Sequence, residues 1–379
     1  MDDREITLMK TATENPVKQA LRCGQSIWYD GLVSQKEFET MIHEDGIRGA
    51  TTNPTIFEKS LLTGEYDGEL SGLLGARSAG EIYRTLAVKA VQDVADLFSS
   101  VYQETKGGDG FVSIEVSPLL AYDTDATVQE ARELWRLVGR KNVMIKVPAT
   151  REGIPAVRRL IVDGINVNIT LIFSVERYRE VMQAYLRGLE ERTHSGQPAS
   201  GIASVASFFV SRVDTVVDKL LEEKIATAGE AARKKELQTL LGKAAIANSK
   251  VAYDAFEQTF LSPRFTELKS QNAQFQRPLW ASTGVKNPRY SDVLYVEALM
   301  GPYTVDTIPP ATLEAFRNHG VARSRLKNGM REAHETLAKL EAIGIDLEKV
   351  TQELEKAGIQ SFSDSYTKII DVIQARKHE

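Results

Sequence analysis

At 379 residues, with 42% apolar and 26% charged residues, the chain has the make-up of an ordinary globular protein long enough for a sizeable core. Its 47 basic and 52 acidic residues leave a net charge of −5, which argues against a nucleic-acid partner held by a general basic field. A single cysteine, Cys23, excludes an internal disulfide framework and a cysteine-based zinc site. The charged opening, Met1–Glu5, has no apolar signal core. No window approaches the roughly 18 apolar residues that span a bilayer. The expectation is a cytoplasmic protein with no membrane partner; the sequence leaves a homodimer open.

Short apolar runs alternate with amphipathic stretches along the chain. The strand candidates are Ser26–Leu32, Gly49–Ile56, Val112–Leu120, Val143–Ala149, Asn166–Phe173, Ala203–Val210, Pro278–Gly284 and Thr304–Pro309. Between the first two, Ser34-Gln35-Lys36-Glu37 is a capping box leading to Phe38, Met41 and Ile42, with Gly46 just beyond. Ala79–Lys106 carries Ile82, Leu86, Val94, Leu97, Phe98 and Val101 at helical spacing. Thr127–Val138, Gly153–Val162, Ser174–Arg192 and Arg212–Glu223 repeat the pattern. Ile225–Phe260 reads as a long helical insertion, and Ala311–Glu379 as helices with no strand. No Pro/Ser-rich linker separates either region, and there is no fixed-period repeat.

Eight strands alternating with helices predict parallel pairing through right-handed crossovers. The count of eight favours a closed (β/α)8 TIM barrel with additional N-terminal and C-terminal helices over an open sheet. No G-x-G-x-x-G follows the first strand, which counts against a dinucleotide-binding fold. The expected organisation is one domain over residues 1–379, with 311–379 packed on the barrel as a helical extension.

One strand carries an anomaly. Lys146 is a lone ammonium in Val143-Met144-Ile145-Lys146-Val147-Pro148, a run that otherwise reads as buried. Taking a lysine charge out of water is costly, so such a group tends to become a neutral amine, a nucleophile for carbonyl carbon. The competing reading is a strand-end lysine that snorkels to solvent. Its strand neighbours weigh against that reading. On one parity near the C-terminal ends stand Asp30, Thr51, Asn53, Glu115, Asn166, Asn168, Thr170, Ser207 and Ser282, with Ser113 and Ser117 beside Glu115. A purely structural core would not use this set, because every buried polar group needs a partner. Active sites of such barrels lie at the strand C-terminal ends.

Several segments together resemble transaldolase: Gly49-Ala50-Thr51-Thr52-Asn53-Pro54-Thr55, Met144–Thr150, Asn166–Ser174, Ala206-Ser207-Phe208-Phe209-Val210-Ser211-Arg212 and Trp280–Pro288. The resemblance implies transfer of a dihydroxyacetone unit from sedoheptulose 7-phosphate or fructose 6-phosphate to glyceraldehyde 3-phosphate or erythrose 4-phosphate, within the pentose phosphate pathway. By it, Lys146 forms the Schiff base, Asp30 takes the C4 hydroxyl proton, and Glu115 works through a water with Thr170. Asn53 and Asn168 hold the hydroxyls of the three-carbon unit, Ser207, Arg212 and Ser282 hold the phosphate, and Thr51 and Phe209 complete the substrate-binding set. No cofactor or metal is implied, and His43, His194, His319 and His334 show no ligand spacing. The partners implied are small sugar phosphates.

The pattern departs from the resemblance at one point. Many transaldolases place an arginine two residues after the serine matching Ser282, and here that position is Gly284, with Lys286 two further on as a substitute point charge. Two other functions compete. One is cleavage of fructose 6-phosphate to free dihydroxyacetone; the related short aldolases carry glutamine where Glu115 stands and tyrosine where Phe209 stands. The other is a non-enzymatic barrel that binds sugar phosphates.

Overall fold

A computed structural model describes residues 15–377, apart from 65 and 76; the opening segment Met1–Glu5 lies outside the described residues. Eight parallel strands close into a barrel in sequence order, as the pattern of alternation predicts. They are β1 (Gln25–Asp30), β2 (Gly49–Thr51), β3 (Phe111–Glu115), β4 (Val143–Pro148), β5 (Val167–Ile172), β6 (Ser204–Phe209), β7 (Gln276–Ala281) and β8 (Thr304–Ile308). β1 pairs with β8 as well as with β2, so no edge is left. Among the described residues a helix, Pro16–Arg22, precedes β1, and three helices follow β8. Among the described residues no helix is long and apolar enough to cross a membrane.

The eight strands fall where expected, but several end early for local reasons. β2 stops at Thr51 because the Asn53 side chain accepts from the Ile56 amide at 3.1 Å, capping a helix that Pro54 opens. β3 stops at Glu115, and Pro118–Leu120 is a single 3₁₀ turn. The expected helix Ala79–Lys106 is two, Ala79–Leu97 and Ser99–Glu104, broken at Phe98. The Ser34–Glu37 capping box forms in both directions. Its helix ends in one wide turn, Met41–Asp45, closed by Gly46 at φ +72°.

Beneath the strands, Asp109 binds the indole of Trp28 at 2.7 Å and the Ser26 hydroxyl, and pairs with Arg277 at 3.4 Å. Asn166 donates to the Lys141 and Val143 carbonyls and accepts from Ala203, tying the entries of three strands together. These polar groups at the N-terminal end are satisfied and structural; Asn166, expected near the C-terminal ends with the site residues, lies just before β5 begins and ties strand entries together instead. At the other end lies the C-terminal helix, Leu347–Arg376. It is fastened across the barrel mouth by a 3.0 Å hydrogen bond between Ser365 and Thr55, by the 3.3 Å Glu355–Arg177 ion pair, and by the edge of Tyr366 on Tyr83.

Candidate active site

Register places the key groups in one layer. Glu115 on β3 pairs with Lys146 on β4, and Lys146 with Asn168 on β5. On the other side Asp30 pairs with Thr51. Asn168 donates to the Ser113 hydroxyl at 2.9 Å, reaching past the intervening strand, which only an inward side chain can do. Its carbonyl accepts from Ser207 at 2.7 Å, so this serine is engaged with the amide.

The lysine does not snorkel. Its side chain is 6% exposed, and Nζ donates to the Thr52 carbonyl at 3.1 Å, where the chain leaves β2. Glu115 Oε2 stands 3.3 Å from Nζ on a side chain 4% exposed. Neither carboxylate oxygen meets a well-aligned donor, and the buried Thr170 hydroxyl has no partner among the described residues. Unmet polar atoms at the centre of a barrel are uncommon in a structural core and fit a site built for a polar ligand. Burial pushes the Glu115 carboxyl above the usual range, with Lys146 opposing and Asp30 adding to the rise. Burial also raises Asp30; Lys146 and the 2.8 Å hydrogen bond from Thr51 partly offset it. Thr51 in turn shares a 2.5 Å hydrogen bond with Thr307 on β8, a contact the sequence did not suggest.

A second group of residues gathers at the ends of β6 and β7. Arg212 sits in the first turn of the helix Ser211–Thr227, which has no side-chain cap at its N-terminus. Its guanidinium lies over the Phe209 ring at 5.5 Å, and Phe209 packs on Phe173 at 5.1 Å. Arg212 makes no ion pair or hydrogen bond among the described residues. The nearby acids are engaged elsewhere: Asp214 with Ala245 and Tyr295, Asp218 with Gly242 and Tyr290. Burial lowers its pKa, the mark of a cation short of solvent. Ser282 adopts a left-handed backbone at φ +56° and meets the Ser211 hydroxyl at 3.1 Å. Lys286 is exposed, and its Nζ lies 3.9 Å from where a Gly284 side chain would begin, close to the place an arginine there would fill. Asn53 serves as a helix cap at the rim.

Two further residues near the site lay outside the sequence reading. Phe362, from the C-terminal helix, presents its ring 5.6 Å from Lys146 Nζ. Asp306 on β8 is fully buried, accepts from Thr283 at 2.9 Å through one oxygen, and among the described residues has no partner for the other. Asp306 was legible as an acid inside an apolar strand, Val305-Asp306-Thr307-Ile308. Phe362 gave no signal beyond one apolar position on an amphipathic helix.

Barrels that need only stability fill their interiors with branched apolar side chains. A dry lysine against an acid, at the catalytic end of a closed parallel barrel, instead defines a (β/α)8-barrel enzyme with an amine at its centre. Comparison with known proteins gives the family. The family profile Transaldolase/Fructose-6-phosphate aldolase matches residues 27–373, and the chain belongs to this family. It is 46% identical over 373 residues to a transaldolase of Mycolicibacterium smegmatis, covering 96% of this chain and 98% of that one. It is 43% identical over 361 residues to a transaldolase of Trichodesmium erythraeum, covering 93% and 95%. A transaldolase of Thermobifida fusca is 45% identical over 364 residues, covering 94% and 97%.

Proposed function

We propose that the protein acts as a transaldolase, moving a dihydroxyacetone unit between sugar phosphates through a Schiff base on Lys146. One observation carries the mechanism: an amine 6% exposed, 3.3 Å from a carboxyl that burial keeps disposed to hold a proton. In this reading the Lys146 amine adds to the C2 carbonyl of the donor ketose. Glu115, with Thr170, relays protons through a water as the carbinolamine loses water to the iminium. Asp30 takes the C4 hydroxyl proton, the C3–C4 bond breaks, and its electron pair passes into the iminium to give an enamine. The enamine adds to the acceptor aldehyde, Asp30 returns its proton to the new alkoxide, and water frees the product ketose.

The remaining residues fit binding roles. Asn168 donates and accepts at once, which suits polyol hydroxyls, with Thr51 beside Asp30 and Asn53 at the rim. An unpaired guanidinium at an uncapped helix start suits a phosphate, because dipole and charge act together. Ser282 flanks this place, Phe209 positions the guanidinium, and Lys286 supplies a second charge; Ser207, expected at the phosphate, is bonded to Asn168 and fits the polyol end instead. In this reading the chain works as one domain, and residues 311–379 contribute to its active-site wall. Its compartment is the cytoplasm, where phosphorylated sugars are retained because their charge keeps them from crossing a bilayer.

The test is borohydride treatment in the presence of fructose 6-phosphate, followed by peptide mass mapping. A three-carbon adduct on Lys146 is expected. An adduct elsewhere, or none, refutes the mechanism.

A further inference from the structure

Lys146 Nζ is enclosed by the Thr52 carbonyl at 3.1 Å, Glu115 at 3.3 Å and the Phe362 ring at 5.6 Å. Phe362 comes from a segment far along the chain, is 4% exposed, and belongs to a helix fastened at several points. Four residues earlier, Gly358 permits close approach: a Cβ there would stand 2.9 Å from Leu171 Cδ2 and 3.7 Å from Arg212 Nη1. Thr55–Ser365 and Arg177–Glu355 hold the same helix on either side of Phe362. The ring is therefore held rigidly over the nitrogen.

We propose that Phe362 determines reaction specificity: its ring keeps bulk water from the Lys146 side of the intermediate, committing the three-carbon unit to transfer rather than release. The proposal rests on the Schiff-base reading above. After C3–C4 cleavage, the nucleophilic carbon of the enamine has two fates. It can form a carbon–carbon bond to the acceptor carbonyl, regenerating the iminium while the carbonyl oxygen takes the Asp30 proton. Or it can take a proton relayed from solvent, giving the iminium of dihydroxyacetone. Water then adds at C2, the C–N bond breaks, free dihydroxyacetone leaves, and a proton returns to solvent. The second route needs a solvent proton relay at the enamine. A phenyl ring has no proton to give and no atom to anchor water. Its face also attracts the iminium cation, so excluding water does not leave that charge unsupported.

The experiment supplies fructose 6-phosphate and erythrose 4-phosphate and measures free dihydroxyacetone against sedoheptulose 7-phosphate, in D2O, with deuterium in the released triose scored by mass. Phe362→Ala is expected to raise the release-to-transfer ratio about tenfold, with one deuterium gained per triose. Phe362→Leu keeps an apolar cover and should stay within about threefold of wild type. Phe362→Gln fills part of the ring's volume with a water-anchoring amide and should behave like alanine, which keeps the test intact if the alanine variant does not fold. A purely structural role would lower both routes together. An unchanged ratio in the folded polar or truncated variant therefore overturns the proposal. Absence of a borohydride adduct on wild-type Lys146 overturns the Schiff-base reading as well; an adduct with an unchanged ratio overturns only the role of Phe362.

Discussion

Asp306 should make stability fall as pH rises. Its carboxyl is fully buried, bonds only Thr283 among the described residues, and is raised by burial from 3.8 to about 7, with Asp30 contributing to the rise. The folded state then binds a proton that the unfolded chain releases, so unfolding free energy declines between the two values. Each pH unit in that window removes about 1.4 kcal/mol, and the whole span corresponds to about 4 kcal/mol. Asp306→Asn keeps an oxygen for the Thr283 hydroxyl and carries no charge at any pH. Relative to wild type, the variant should gain stability steadily from about pH 4 and level off above about pH 7. Urea unfolding at half-unit pH intervals from 4.5 to 8.5, with both proteins in the same buffers, measures the difference directly. If the difference changes by less than about 1 kcal/mol across that range, the carboxyl is solvated or paired and the reasoning fails.

Further outcomes follow from the site. Asp30→Asn should lower kcat by about 10²- to 10⁴-fold while Lys146 still traps as an adduct; loss of trapping contradicts its assignment as the base for cleavage. Because burial raises Asp30, the acid limb of the wild-type kcat profile should lie above the range of an exposed aspartate, with activity lost as pH falls through it. That limb should vanish in the asparagine variant. Arg212→Ala should cost about 2 kcal/mol, roughly a 30-fold loss in kcat/KM expressed mainly as KM for phosphorylated substrates. An equal loss with an unphosphorylated acceptor would remove it from the phosphate site. Lys286→Ala, at an exposed position, should raise the same KM only a fewfold.

Strand number, order and the anomalous lysine were legible in the sequence because they rest on local pattern. Period-two alternation and turn residues placed all eight strands, and the capping box at Ser34 formed as read, whereas the strand expected to run to Ile56 gives way at Asn53-Pro54 to a capped helix. Inward polar residues stood out because alternation assigns them a face. Strand ends were less legible: extended and capped conformations share the same residues at Thr52-Asn53, and a hydrogen bond to Ile56 decides between them. At β5, Leu171 takes a left-handed backbone where the register with β6 slips, a bulge that no periodicity announces.

The sequence alone determined a closed eight-strand barrel and a charged amine among apolar neighbours, because both follow from spacing along the chain. Only the tertiary structure decided what surrounds that amine. Glu115 comes to it across one strand pair, the Thr52 carbonyl from two strands away, and Phe362 from more than two hundred residues later. Spacing along a chain carries no information about contacts between segments so far apart, and the dryness of the site is made of such contacts.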